Sequence, residues 1–167
     1  MMPEPGASVA ETAEAVGADV IGLLHGGVTV SDMDASLAFY HDGLGLPLIL
    51  DAIQDAPYLH ETLDLPFTEM RKVLLGVPGV PGNMVELLEY RGLERMAAGA
   101  RPCDPGSGHI CLQVRDAAAA FARMTGLGYR SRSASIVDVT SGVNAGGRIA
   151  YFADPDGFWV ELLERPT

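Results

Sequence analysis

From residue 24 the chain alternates like a strand, with Leu24, Val28 and Val30 pointing one way and His25, Gly27 and Thr29 the other. The period then changes. Met33, Leu37 and Tyr40 fall at helical spacing behind Asp32, whose short acceptor side chain suits an N-cap, and Gly43 and Gly45 supply the stop. The same order returns later: Ile110, Leu112 and Val114 oppose His109, Cys111 and Gln113, and Asp116 precedes Ala117, Phe121 and Met124, ahead of Gly126 and Gly128. His25 and His109 stand 84 positions apart, as do Asp32 and Asp116, so the chain reads as an internal repeat.

The ends of the two halves match as well. Gly82-Asn-Met-Val-Glu-Leu-Leu-Glu89 resembles Gly157-Phe-Trp-Val-Glu-Leu-Leu-Glu164. Asp154-Pro-Asp-Gly157 is a turn, which predicts that Arg148 to Ala153 folds back as a hairpin onto the final strand, and Pro78 to Gly82 takes that place in the first half. Each half is therefore strand, helix, then two or three antiparallel strands. The expected organisation is a flexible leader over 1–21, a first module over 22–90, a linker over 91–106 and a second module over 107–167. The first half has the longer middle, where the segment 51–71, with Tyr58, His60 and Phe67, is either a substrate lid or a plain surface excursion.

Bulk properties narrow the function. With 22 acidic against 11 basic residues the formal charge is −11, which repels a phosphate backbone, so nucleic acid is not an expected partner. No run reaches the roughly 18 apolar residues needed to cross a bilayer, and the acidic leader lacks the marks of a secretory signal, so a cytoplasmic location is expected. Cys103 and Cys111 form no C-x-x-C pair and read as free thiols.

The chemistry lies in what repeats. Strand alternation sets Glu86 and Glu161 on the faces opposite Val85, Leu87, Val160 and Leu162, just as His25 and His109 oppose their apolar neighbours. Four ligand-type side chains thus hold equivalent places in two similar modules. Should the two sheets curve around a common interior, two imidazoles and two carboxylates meet there, a set suited to one divalent ion such as Zn, Ni, Co, Mn or Fe(II). A lone strand histidine is usually structural; the recurrence of both residue types in both halves weighs against that reading.

Taken together, His25 to Asp32, Ser36-Leu-Ala-Phe-Tyr40, Gly43-Leu-Gly45, Gly108-His-Ile110, Asp154-Pro-Asp-Gly157 and Val160-Glu-Leu162 resemble the vicinal oxygen chelate superfamily, which includes glyoxalases, bleomycin resistance proteins and extradiol dioxygenases. The resemblance implies an α+β fold of two paired βαβββ modules whose mixed sheets form a cup-shaped half-barrel around a metal. It implies His25, Glu86, His109 and Glu161 as the ligands, with Glu89 and Glu164 as decoys on the opposite face. It further implies a small-molecule substrate with adjacent oxygens, chelated by the metal, and a glutamate base that moves a proton alpha to a carbonyl. Glu161 is the first choice for that base and Glu86 the second. The expected activity is that of an isomerase or epimerase of glyoxalase type, or a lyase, in a homodimer, with Tyr58, His60, Tyr151 and Trp159 as substrate-contacting residues.

Two other classes compete. An extradiol ring-cleaving dioxygenase needs Fe(II) or Mn(II) on two histidines and one carboxylate; Glu86 counts against it, and only His60, His41 and Tyr151 offer the extra histidine and tyrosine that such enzymes use. His41 follows the first helix and reads as a surface residue. A metal-free drug-binding protein lines its cup with aromatics, whereas this chain has one Trp and five each of Tyr and Phe.

Overall fold

A computed structural model describes residues 19–20, 22–79, 82–96 and 101–166. Most of the expected leader lies outside the described residues. The first module runs β1 (His25–Thr29), α1 (Met33–Leu37, continued by a π-helical turn over Ala38–Gly43), β2 (Leu48–Gln54), α2 (Pro57–Leu63), β3 (Glu69–Gly76) and β4 (Met84–Arg91). The second runs β5 (His109–Gln113), α3 (Ala117–Gly126), β6 (Val137–Asp138), β7 (Arg148–Ala153) and β8 (Trp159–Glu164). Each forms a four-stranded mixed sheet, ordered β1-β4-β3-β2 and β5-β8-β7-β6, with the β1–β4 and β5–β8 pairs parallel. This is the expected α+β pairing of βαβββ modules, and neither sheet closes into a barrel.

Local chemistry sets the helix starts. Asp32 accepts hydrogen bonds from the backbone N–H groups of Asp34 and Ala35, both at 3.0 Å, and Asp116 accepts from Ala119 at 3.0 Å. Each aspartate thereby satisfies donors that the first helical turn leaves free. The π-helical turn was not legible in the spacing: Phe39 and Tyr40 are adjacent in sequence and both are fully buried there. Leu24 departs from the expected pattern. It is exposed, standing just before β1, whose pairing with β4 begins at His25 opposite Met84.

The helix-facing sides of the two sheets share one core. Val28, Val30, Val73, Leu75, Val85 and Leu87 of the first module join Leu112, Ala150, Phe152, Val160 and Leu162 of the second, with α1 and α3 contributing Met33, Phe39 and Met124. The modules approach so closely that a Cβ at Gly43 would lie 3.2 Å from the Met124 sulfur. Polar links cross the same boundary. Tyr40 donates its hydroxyl to Asp154 Oδ2 at 2.9 Å, and the Ser31 N–H donates to Asp156 Oδ2 at 2.7 Å. Asp154 also orders its own turn by accepting from the N–H groups of Asp156 (3.0 Å) and Phe158 (2.8 Å), while Gly157 takes the left-handed φ of 89° that ends it.

The longer middle of the first half contains α2. Its Leu59 packs on a second, small cluster of Phe67, Met70 and Tyr90, with Leu88 and Leu93 beside it.

Candidate metal centre

Strand register builds two matching pairs. In the first module His25 Nε2 lies 3.3 Å from Glu86 Oε2, and in the second His109 Nε2 lies 3.2 Å from Glu161 Oε2. In both, the histidine begins an edge strand and the glutamate sits on its parallel neighbour, two register places further on: Gly27 pairs with Glu86 and Cys111 with Glu161. Glu86 is buried at 7% exposure and Glu161 is half-buried, whereas both imidazoles reach solvent. An imidazole nitrogen and a carboxylate oxygen that both bind one ion at about 2.1 Å stand about 3.2 Å apart. The donor sets therefore fit a shared divalent cation.

The two pairs are not brought together. Among the described residues no group of three or more His, Cys, Asp or Glu side chains is placed so that it could hold a metal ion. The reason is architectural: the apolar backs of both sheets face the shared core, which leaves His25–Glu86 and His109–Glu161 on sheet faces that both turn away from it.

The surroundings of the two glutamates differ. Lys72 Nζ lies 2.6 Å from Glu86 Oε1. Among the described residues no lysine or arginine forms an ion pair with Glu161: Tyr151 donates its hydroxyl to Glu161 Oε2 at 2.5 Å, and the same hydroxyl is 3.4 Å from His109 Nε2. Desolvation, reinforced by the Glu161 charge and a hydrogen bond to it, pushes the Cys111 thiol up to about 11. Desolvation and the same carboxylate hold the Tyr151 hydroxyl above its ordinary range. Both remain neutral donors beside Glu161 near pH 7.

The remaining expected site residues divide. Trp159 pairs in register with His109, and the Arg132 guanidinium stands 5.8 Å above its ring. Tyr58 lines a cavity of about 180 Å³ with Gln54, Thr62, Lys72, Glu86 and Tyr90. His60 instead stacks on Phe67 with ring centroids 4.1 Å apart, and its Nδ1 lies 3.3 Å from the Leu65 carbonyl. His41 contacts the Leu46 carbonyl at 2.7 Å at the end of the π-helical turn. Glu89 is engaged by Arg91, and Glu164 by Arg148 and the Ala117 N–H, away from either pair. Sequence reasoning passed over Lys72 and gave Cys111 no role. Alternation could have found Cys111, two residues from His109, whereas Lys72 comes to Glu86 only through the β3–β4 register, in which Glu86 pairs with Leu74.

Comparison with known proteins agrees with this architecture. The chain is 28% identical over 149 residues to a 2-epi-5-epi-valiolone epimerase of Actinomyces sp, covering 88% of this chain and 81% of the relative. It is 30% identical over 158 residues to a lactoylglutathione lyase of Pseudomonas putida, covering 86% and 84%. Among solved structures, a glyoxalase family protein from Bacillus cereus superposes with a TM-score of 0.73 at 16% identity, covering 89% of this chain and 97% of that one. Residues 22–162 match the profile of the Glyoxalase/Bleomycin resistance protein/Dioxygenase superfamily, and the chain belongs to that superfamily.

Proposed function

We propose that this chain is a divalent-metal-dependent isomerase or epimerase that moves a proton alpha to a carbonyl of a small substrate bearing adjacent oxygens. The observation that carries the reading is the recurrence of a His–Glu pair at 3.3 Å and 3.2 Å in equivalent places of two modules. His25, Glu86, His109 and Glu161 hold the ion, one of Zn, Ni, Co, Mn or Fe(II), which when bound polarises the carbonyl as a Lewis acid.

Because the two pairs face away from their shared core, a second copy of the chain completes each centre, with His25 and Glu86 of one copy meeting His109 and Glu161 of the other. A homodimer then holds two centres. Glu161 serves as the base. Its hydrogen-bond partners are the neutral Tyr151 and Cys111, which orient the carboxylate without an ammonium competing for it. The same glutamate, or Glu86 across the centre, returns the proton. The relatives named an epimerase and a lactoylglutathione lyase support this kind of chemistry.

The reading is tested by elemental mass spectrometry of the purified protein beside a His25→Ala, His109→Ala double variant. About one ion per chain, lost in the variant, is expected, together with deuterium uptake alpha to the carbonyl in hydroxyketones. A wild type that takes up none of Mn, Fe(II), Co, Ni or Zn overturns it in favour of a metal-free binding protein.

A further inference from the structure

Glu86 divides its two carboxylate oxygens between different partners. Oε2 faces His25 at 3.3 Å, and Oε1 is held by the Lys72 ammonium at 2.6 Å. The carboxylate is buried at 7% exposure, so little water is at hand to take the place of that ammonium if it leaves. Among the described residues the second module has no equivalent clamp. Lys72 stands opposite Leu88 in the first sheet, and the matching place opposite Leu163 in the second is taken by Ile149.

Resting on the metal reading above, we infer that Lys72 is a positioning residue that restricts Glu86 to donating one oxygen to the ion. A carboxylate free at both oxygens can chelate a single cation with the pair, filling two coordination positions. With Oε1 occupied by Lys72, Glu86 fills one, and the position it leaves open is available to a substrate oxygen. Lys72 also lines the cavity beside α2 together with Tyr58 and Glu86. The two modules thus have unequal roles: the first supplies a fixed carboxylate and the second a carboxylate held by neutral donors and free to loosen.

The test uses the full chain loaded with Co(II), as wild type, Lys72→Met and Lys72→Arg, with circular dichroism melts to establish that each is folded. X-ray absorption reports the number of oxygen ligands, and titration with acetohydroxamate, a probe with two neighbouring oxygens, reports the open positions. Expected is one additional oxygen ligand in Lys72→Met and acetohydroxamate binding weakened about tenfold, with Lys72→Arg behaving as wild type. If Lys72→Met fails to fold, Lys72→Gln takes its place with the same expectation. A folded variant whose cobalt environment and acetohydroxamate affinity match wild type overturns the inference and leaves the metal reading standing. Wild type that binds no Co(II) overturns the metal reading itself, and this inference with it.

Discussion

Tyr151 lies directly across the β7–β8 pair from Glu161 and donates a hydrogen bond to it, whereas Leu74, which lies across from Glu86 in the first module, has no polar group to offer. Tyr151→Phe therefore removes a donor from one glutamate and leaves the other untouched. Loss of such a supporting contact is expected to lower the alpha-proton exchange rate about tenfold while the protein stays folded. An exchange rate equal to wild type removes Tyr151 from the site.

Glu161→Gln keeps the shape of the side chain and deletes its basicity. Turnover should disappear while the melting profile and far-ultraviolet dichroism stay near those of wild type. Full activity in this variant excludes Glu161 as the base and moves the assignment to Glu86.

Asp154 gives stability a distinct pH signature. Desolvation raises its carboxyl above the ordinary range, against the hydrogen bonds it accepts from Phe158, Tyr40 and Asp156. The folded protein thus binds this proton more readily than the unfolded chain, whose carboxyl titrates near about 4. The stabilisation from this group is complete below that unfolded value and is lost as the pH rises through the folded one. Wild type should therefore gain stability relative to Asp154→Asn as the pH falls from 7 toward about 4. Asp51 and Glu164, whose carboxyls are held low by Arg71 and by the Ala117 N–H, are common to both proteins and cancel in the difference. Urea titrations at the two pH values measure it, and a difference that does not change with pH refutes the assignment.

Gly147 lets the chain enter β7 against the end of β8. A Cβ there would meet the Glu164 carbonyl oxygen and lie 3.0 Å from that of Asn144, both backbone atoms that a rotamer change cannot clear. Gly147→Ala should cost about 1–3 kcal/mol in chemical denaturation. An unchanged midpoint would show that this hairpin yields freely.

Asp32→Ala and Asp116→Ala each strip an N-cap, and each should cost about 1 kcal/mol. Similar losses in the two variants, measured by denaturant midpoint, would show that the caps are equivalent in energy as well as in position.

What the sequence disclosed was local or repeated. The caps at Asp32 and Asp116, the turn at Asp154 to Gly157 and the faces of Glu86 and Glu161 follow from bonds within a few residues or from strand period, and all appear in the fold. The π-helical turn was hidden because Phe39 and Tyr40 are drawn inward by residues far along the chain, including Asp154. Lys72 escaped notice because its partner Glu86 comes from the next strand and the register between β3 and β4 cannot be read from spacing. The meeting of the sheets was hidden for the same kind of reason. Alternation says which face of a strand is apolar and leaves open whether two such faces will meet each other.

Their meeting has a consequence for how the protein can be divided. Cut between residues 91 and 107, each half would present to water the apolar back formed in the first by Val28, Val30, Val85 and Leu87 and in the second by Leu112, Phe152, Val160 and Leu162. Neither fragment could stand alone in solution, and the two would recover the fold only by finding one another. In a chain built of two similar units, each unit has become the other's solvent.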